Sequence, residues 1–264
     1  DGYSRSKTPK TGTEMAGQFD NDVIVITGGA RGIGRAYALG LAENGARVAI
    51  ADLRVCGPVV DEIVTAGGEA MSVTTDVSDE ASTEAMAAAV FDEFGRIDVL
   101  INNAAMFSET TRGSFTDLSI EEWDRAFAVN VRGVWLCTKA VYPAMAAQGS
   151  GKIINIASNT IYKGTVGFPH YVASKSALLG LTRSFASELG PDGITVNTVS
   201  PDLIPNPDLR PTDTASDQFV VSGRALKRTQ VEEDMVGTII YFCSSASDFV
   251  TGQSFLVNGG AFFL

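Results

Sequence analysis

The chain has 264 residues, of which 45% are hydrophobic and 19% are charged, so it is apolar enough for one large α/β domain and too apolar to be disordered throughout. Its net charge of −11 argues against a nucleic-acid partner, and the lack of a membrane-length apolar run argues against a membrane partner. Three scattered cysteines and a single histidine show no spacing typical of a metal site or a disulfide framework, which predicts no metal and a cytoplasmic protein.

The first fourteen residues are polar and contain no apolar segment that would indicate a secretory signal. We interpret residues 1–14 as a leader or loose tail and assign residues 15–264 to a single domain.

A glycine-rich loop dominates the start of this domain. Val23–Thr27 is a short apolar run that predicts a buried strand, and Arg35–Glu43 has the apolar spacing of a helix. The segment between them contains four glycines: Gly28, Gly29, Gly32 and Gly34. A strand, a glycine loop and a helix place backbone N–H groups and a helix N-terminus where they can bind phosphate. The alternative is a βα turn that binds no ligand.

The second predicted strand, Arg47–Asp52, ends in an acid about twenty residues beyond the glycine loop. A carboxylate at this position can accept hydrogen bonds from a ribose 2′-hydroxyl and repel a 2′-phosphate, which favours NAD. Two nearby guanidinium groups, those of Arg31 and Arg54, could instead attract a 2′-phosphate. The sequence favours Asp52 because it lies at the tip of the strand.

Helices and short apolar strands alternate along the rest of the chain. The next predicted elements are helix Pro58–Ala66, strand Ala70–Thr75, a helix capped by Ser78 that ends at Gly95, and strand Ile97–Ile101. After these come a helix from a capping box at Ser119–Glu122 to about Met145, strand Lys152–Ala157, helix Tyr171–Leu189, strand Thr195–Ser200, loop Pro201–Ser222, a helix capped by Thr229 that runs through Phe242, and strand Ser254–Val257. This alternation predicts a doubly wound parallel sheet, with ligands at the carboxyl ends of the strands.

Tyr171 and Lys175 are four residues apart on one predicted helix, so their side chains share a face. A phenol titrates near pH ~10, and lowering its pKa by about three units requires ~4 kcal/mol. One ammonium about 4 Å away supplies roughly that energy at an effective dielectric constant of about 20. Ser158, at the end of a strand, could hydrogen-bond a substrate oxygen while Tyr171 transfers a proton to or from it. Many Tyr-x-x-x-Lys pairs occur by chance, and Asn130 by itself could equally be a buried structural amide.

Together these motifs resemble the short-chain dehydrogenase/reductase family over Asp20 to about Gly260. The glycine loop resembles its cofactor fingerprint, and Asn102–Ala105 is similar to its Asn-Asn-Ala-Gly motif. The resemblance implies a catalytic tetrad of Asn130, Ser158, Tyr171 and Lys175. It implies that lysine also holds the nicotinamide ribose, that Asn130 positions a water in a proton relay, and that Asp76 faces adenine. The expected cofactor-binding residues are Gly28, Arg31, Gly32, Ile33, Gly34, Asp52, Leu53, Asp76, Val77, Asn103, Ala104, Ala105, Tyr171, Lys175, Pro201, Asp202 and Ile204.

Two residues depart from the family pattern. Ala105 replaces a glycine, which adds one methyl group close to the cofactor. Asp202 replaces the glycine of a Pro-Gly pair, and only Asn206 stands near the place of a threonine often found a few residues later. A carboxylate at Asp202 could stabilise the oxidised nicotinamide ring, or it could alter the loop and the choice of substrate.

The sequence therefore predicts an NAD-dependent alcohol dehydrogenase or carbonyl reductase that acts on a small to medium, largely apolar secondary alcohol or ketone. The predicted pocket walls are Phe107, Thr160, Ile161, Tyr162, Phe168, Leu203 and Phe219. The family resemblance implies a homotetramer, in which the apolar residues Phe262–Leu264 could pack on a neighbouring subunit or on their own. Two alternatives remain: an NADP-dependent 3-oxoacyl carrier-protein reductase, and a cofactor-binding regulator without catalysis.

Overall fold

The computed structural model describes residues 17–107, 110, 112–206 and 212–263, so the predicted leader lies outside the described residues. Within these ranges, seven strands form one parallel sheet. They are β1 (Val23–Thr27), β2 (Arg47–Asp52), β3 (Glu69–Thr74), β4 (Val99–Asn102), β5 (Gly151–Ile156), β6 (Ile194–Pro201) and β7 (Ser254–Val257). Their order across the sheet is β3-β2-β1-β4-β5-β6-β7.

Helices connect the strands and cover both faces of the sheet. They are α1 (Gly32–Glu43), α2 (Gly57–Thr65), α3 (Glu80–Phe94), α4 (Ile120–Phe127), α5 (Gly133–Gln148), α6 (Thr160–Lys163), α7 (Pro169–Leu189), α8 (Ala215–Ser222) and α9 (Glu233–Cys243). A π-helical segment, Ala128–Arg132, joins α4 to α5. The doubly wound α/β fold predicted from the sequence is therefore confirmed.

The central strands are buried on both faces, as their continuous apolar sequences require. Along β1, Ile24 and Ile26 face a core layer that includes Tyr37 of α1. The alternate residues Val23 and Val25 face the layer formed with α3, α5 and α7. The strand order reverses between β1 and β4, and this switch opens a crevice at the carboxyl ends of the strands.

Two predicted helix caps are wrong. The α3 cap is Asp79, whose carboxylate accepts the Ser82 N–H at 2.8 Å, because the hydroxyl of Ser78 is already bonded to Asp76. Thr229 does not cap α9, which begins four residues later at Glu233.

Other predicted helix boundaries agree with the structure. Gly95 ends α3 in the left-handed conformation, and Ser119 accepts the Glu122 N–H at the start of α4. The segment predicted as the loop Pro201–Ser222 contains the short helix α8, whose capping box joins Thr214 and Asp217. All three cysteines are free and buried. Over the described ranges, none of the helices combines the length and the apolar character that crossing a bilayer requires.

Candidate active site

The glycine loop after β1 needs glycine for two separate reasons. Gly28 and Gly32 have φ angles of +67° and +55°, which residues with a side chain rarely adopt. At Gly34 a Cβ atom would lie 2.2 Å from the carbonyl oxygen of Gly28, so the start of α1 can approach the loop only without a side chain. The loop therefore presents bare backbone, including that of Ile33, at the crevice.

Two side chains, those of Thr27 in β1 and Asn103 after β4, link this loop to the end of β4. The Thr27 hydroxyl oxygen accepts the backbone N–H groups of Asn103 and Ala104 at 3.0 and 3.1 Å. The Asn103 amide donates to the carbonyl oxygens of Thr27 and Gly28 at 3.0 and 2.9 Å. Asn103 was predicted as a cofactor contact, and in the structure its side chain supports the loop. Thr27 was not predicted as a site residue, although its position before the first glycine was a usable signal. Ala105 is exposed, so its extra methyl group has room.

Asp52 lies at the carboxyl end of β2, beside the glycine loop. Its two carboxylate oxygens accept the backbone N–H groups of Ala30 at 3.1 Å and Arg54 at 2.9 Å. These bonds fix the carboxylate at the mouth of the crevice. Arg31 immediately precedes α1, and Leu53 is exposed beside Asp52.

Asp76 and Val77 follow β3 at the same edge of the sheet. One Asp76 carboxylate oxygen accepts both the backbone N–H and the hydroxyl of Ser78, at 2.9 and 2.7 Å. Val77 is buried against Gly133, where an added Cβ would lie 2.9 Å from a Val77 methyl carbon. The structure thus brings two predicted cofactor-binding residues, Asp76 and Val77, to the crevice edge.

Ser158, Tyr171 and Lys175 come together where β5 ends and α7 begins, and all three are buried. The Tyr171 ring packs against Phe107 and Phe168, with ring centroids 5.1 and 5.5 Å apart. Its phenol lies close enough to the Ser158 side chain for that hydroxyl to lower the pKa of Tyr171. The arrangement places two hydroxyl groups side by side in an aromatic surrounding.

Thr160 adds a third hydroxyl to this group. Its hydroxyl donates to Ser158 Oγ at 2.9 Å, and its backbone N–H donates to the same atom at 3.3 Å. Because both bonds occupy the lone pairs of Ser158 Oγ, the Ser158 proton is left to point towards Tyr171 or a substrate oxygen.

The pKa values of the pair differ from the sequence-based expectation. Burial raises the pKa of Tyr171 to about 12, and the hydrogen bond from Ser158 offsets this only in part. Burial also lowers the pKa of Lys175 to about 7. The Lys175 ammonium donates to the carbonyl oxygen of Ile156 at 2.7 Å. In the protein alone, desolvation outweighs the expected lowering of the phenol pKa by the ammonium.

Asn130 lies in the π-helical segment and is completely buried. Its Oδ1 accepts the Met106 N–H at 2.8 Å, and its Nδ2 donates to Ser174 Oγ at 3.0 Å. The Asn130 side chain therefore ties the segment after β4 to α7, one residue from Lys175.

Pro201 is the last residue of β6, and Asp202 and Ile204 follow it on the other side of the crevice. Ile204 packs against the apolar layer shared with α1. The Asp202 carboxylate does not stand alone, because Lys163 and Arg224 both form ion pairs with it. Arg224 was not predicted, since nothing in the sequence singles out an arginine 22 residues downstream.

The predicted pocket walls separate into two groups. Phe107, Phe168 and Thr160 surround Tyr171 and Ser158 as expected. Tyr162 turns away from them, because its ring stacks on Phe262 at 5.6 Å and its hydroxyl bonds to Ser254.

The remaining predicted walls have the following surroundings. Ile161 packs into a small cluster with Ala157 and Leu178, and Phe219 is largely exposed on α8. The Leu203 carbonyl oxygen is bound by Arg224.

Comparison with known proteins agrees with this architecture. A family model described as enoyl-(acyl carrier protein) reductase matches residues 28–261. The (2S)-((R)-hydroxy(phenyl)methyl)succinyl-CoA dehydrogenase subunit BbsD of Thauera aromatica is 37% identical, over 92% of this chain and 97% of its own. A 3-oxoacyl-acyl-carrier-protein reductase of Synechocystis sp. is 36% identical, over 90% of this chain and 96% of its own.

A solved structure extends the likeness to three dimensions. A mutant of a Serratia marcescens short-chain dehydrogenase/reductase is 31% identical and superposes with a TM-score of 0.86. The match covers 92% of this chain and 99% of that one. The glycine loop, the buried serine, tyrosine and lysine, and these matches lead to one conclusion: the chain belongs to the short-chain dehydrogenase/reductase family and is an oxidoreductase.

Proposed function

We propose that the protein transfers a hydride between NAD(H) and a largely apolar secondary alcohol or ketone. The observation that carries this proposal is the buried pair of hydroxyls, Ser158 and Tyr171, beneath two aromatic rings. Ser158 binds the substrate oxygen, and Tyr171 exchanges a proton with it as the hydride moves at carbon. The nicotinamide cofactor supplies the hydride chemistry when bound.

The proposed substrate class follows from the pocket surface. Phe107 and Phe168 flank Tyr171, and the guanidinium of Arg112 lies over the Phe168 ring at 4.8 Å. The Phe107 ring is partly exposed beside Tyr171, so an aromatic or aliphatic group beside the carbinol carbon can pack on it, whereas Phe168 is buried behind Tyr171. The relative from Thauera aromatica is named for a substrate that carries a phenyl group next to a hydroxyl.

The preference for NAD rests on Asp52. Its carboxylate is fixed by two backbone N–H groups at the mouth of the crevice, where it can bind ribose hydroxyls and repel a 2′-phosphate. The residues proposed to hold the cofactor are the glycine loop, Asp52, Asp76, the backbone after β4 and β6, and Lys175. We further propose a cytoplasmic location, in keeping with three free, buried thiols. The homotetramer implied by the family resemblance is also proposed.

The second candidate is an NADP-dependent 3-oxoacyl carrier-protein reductase. It is favoured by the relative of that name and by the nearby guanidinium groups of Arg31 and Arg54. Steady-state rates with NADH and NADPH, against aryl ketones and a 3-oxoacyl thioester, separate the two. The Asp52→Asn enzyme should shift kcat/KM towards NADPH by at least about tenfold, because it lacks the repelling charge. A wild-type enzyme that prefers NADPH, with no shift in the variant, would overturn the NAD assignment.

A Tyr171→Phe variant tests the catalytic role against that of a regulator. The phenyl ring keeps the packing against Phe107 and Phe168 but has no proton to exchange. We expect kcat to fall by about 10²- to 10⁴-fold while NADH still binds. Full activity in this variant would exclude Tyr171 as the acid–base group.

A further inference from the structure

Asp202 stands where the family pattern has glycine, and the structure gives its carboxylate three donors. Lys163 Nζ lies at 2.8 Å, Arg224 Nε at 2.9 Å and Asn159 Nδ2 at 3.2 Å. The Asp202 side chain is only 6% exposed. Burial by itself would raise the pKa of Asp202, but the hydrogen bonds from these donors hold it below its usual value. The carboxylate is therefore ionised and its charge is compensated within the protein.

Arg224 is the buried partner in this cluster, with a side chain only 2% exposed. Its guanidinium donates to Asp202, to the Leu203 carbonyl oxygen at 2.7 Å and to the Arg228 carbonyl oxygen at 3.0 Å. These bonds join residues 202–203, at the end of β6, to residues 224–228, beyond α8. The sequence predicts the segment between them as the loop Pro201–Ser222, which we call the substrate loop. One side chain thus holds its two ends together.

The segment held in this way runs from β6 to the glycine loop. The Asp202 N–H contacts the Val257 carbonyl oxygen at 3.3 Å and Gln230 Oε1 at 3.2 Å. Further along, Asn206 approaches Gly32 so closely that an added Cβ there would lie 3.1 Å from Asn206 Nδ2. Residues 202–206 therefore form one wall of the cofactor crevice.

Charge compensation decides between the two roles that the sequence left open for Asp202. A carboxylate that stabilised an oxidised nicotinamide would need its negative charge free to act on the ring. Here the nearest charges are two cations, those of Lys163 and Arg224. The bonds from Arg224 to two carbonyl oxygens fix the backbone instead.

We propose that Asp202 and Arg224 form a clamp that positions the backbone of residues 202–204 for the nicotinamide and anchors the substrate loop. Both are positioning residues, and Lys163 extends the clamp to α6. This inference rests on the proposed function in one respect, namely that this wall receives the nicotinamide.

Two variants distinguish a clamp from a charge effect. Asp202→Asn keeps the shape of the side chain but removes its charge. Arg224→Lys keeps the charge but removes the planar group that reaches three acceptors. A clamp predicts that both variants lose kcat/KM by about tenfold and bind NAD and NADH more weakly by the same factor. A charge effect on the ring predicts that Arg224→Lys behaves as wild type and that Asp202→Asn weakens NAD binding alone.

Hydrogen–deuterium exchange on the protein without cofactor gives a readout that does not depend on the proposed function. Both variants should exchange faster than wild type over residues 202–206 and α8, while β1 and α1 stay protected. If the wild-type protein binds neither NADH nor NADPH, the proposed function fails while this measurement still tests the clamp.

The matched control is Arg96→Met, which removes another guanidinium–carboxylate pair at the opposite end of the sheet. Arg96 binds Asp98 through two nitrogens, at 2.8 and 2.6 Å, just before β4. The Arg96→Met variant should match wild type both in hydrogen–deuterium exchange over residues 202–206 and in cofactor affinity. Wild-type exchange in Asp202→Asn and Arg224→Lys, or a change in NAD affinity without one in NADH affinity, would overturn the clamp.

Discussion

The buried amine of Lys175 makes the stability of the protein depend on pH. Because burial lowers the pKa of Lys175 to about 7, the folded chain releases this proton at a lower pH than the unfolded chain, whose lysine titrates at 10.5. Between these two values the unfolded state binds more protons, so the stability that this group contributes rises with pH. Tyr171 acts in the opposite direction, but only above pH 10, because its pKa is raised to about 12.

Lys175→Met should remove this dependence. We expect the free energy of unfolding of the wild-type protein to rise relative to the variant by up to about 1 kcal/mol per pH unit from pH 7 to 9. Urea unfolding at pH 7, 8 and 9 measures the difference. If the free energy of unfolding changed with pH in the same way in both proteins, the lowered pKa of the buried Lys175 would be contradicted.

Thr160→Val tests the orientation of the Ser158 hydroxyl. Valine keeps the branched shape but cannot donate to Ser158 Oγ, which would be free to rotate its proton away from the substrate oxygen. We expect kcat to fall by about tenfold with an unchanged Kd for NADH. Thr160→Ser restores the donor and should recover most of the activity. Equal kcat values for the valine variant and wild type would show that Ser158 needs no such support.

The sequence identifies the residues that we propose to carry chemistry more readily than the residues that support them. Spacing on one helix makes Tyr171 and Lys175 candidates, a place at the end of a strand makes Ser158 one, and the family resemblance distinguishes them from chance pairs. Arg224 cannot be identified in this way, because its contacts join segments that meet only after folding. The pKa values also escape the sequence, because burial is a property of the packed site and here outweighs the nearby charge.

At the scale of single elements, the glycine loop requires a glycine at position 34, whereas α7 does not require one at position 180. Gly34 has no room for a methyl group, whereas Gly180 is exposed within α7 and a Cβ there would meet nothing within 4 Å. Gly34→Ala should therefore displace the loop and abolish NADH binding.

Gly180→Ala is the matched control and should stabilise the protein by about 0.5–1 kcal/mol, because alanine favours the helix. Thermal unfolding and NADH titration of both variants measure these effects. NADH binding by the Gly34 variant at wild-type affinity would contradict the close approach of α1 to the loop.

For the helix predicted from Ser119 to about Met145, the apolar periodicity predicts the extent of the element but not its local irregularity. Its start and its extent are close to the observed α4 and α5, which end at Gln148. The π-helical turn between them was not predicted, because a single wider turn hardly changes the apolar pattern. That turn contains Asn130, so an irregular part of the element lies at the site.

For the whole molecule, the alternation of strands and helices predicts both the parallel sheet and the edge at which its ligands collect. Right-handed crossovers leave few arrangements of such units, so local patterns specify the global fold. The long segment after β6 is the exception. Its prolines indicated irregular chain, whereas α8 forms there and the Arg224 contacts determine where the segment lies.

The edge of the sheet at β7 is the surface at which we expect the subunits of a homotetramer to meet. Phe255 on β7 is half-exposed, and Phe249 and Phe263 are largely exposed. Aromatic side chains exposed together on the segments around an edge strand favour contact with another copy of the chain. Phe262 does not contribute, because it stacks on Tyr162 of its own subunit.

Light scattering on a sizing column should give a mass about four times that of the 27.8 kDa chain. Phe255→Lys should reduce this mass, because a charged side chain in the centre of an apolar contact is costly to bury. Val64→Lys places the same change at an exposed site on α2, at the opposite side of the sheet, and should leave the mass unchanged. A monomeric wild-type protein would contradict the tetramer. A Phe255→Lys variant with the wild-type mass would show that the subunits meet elsewhere.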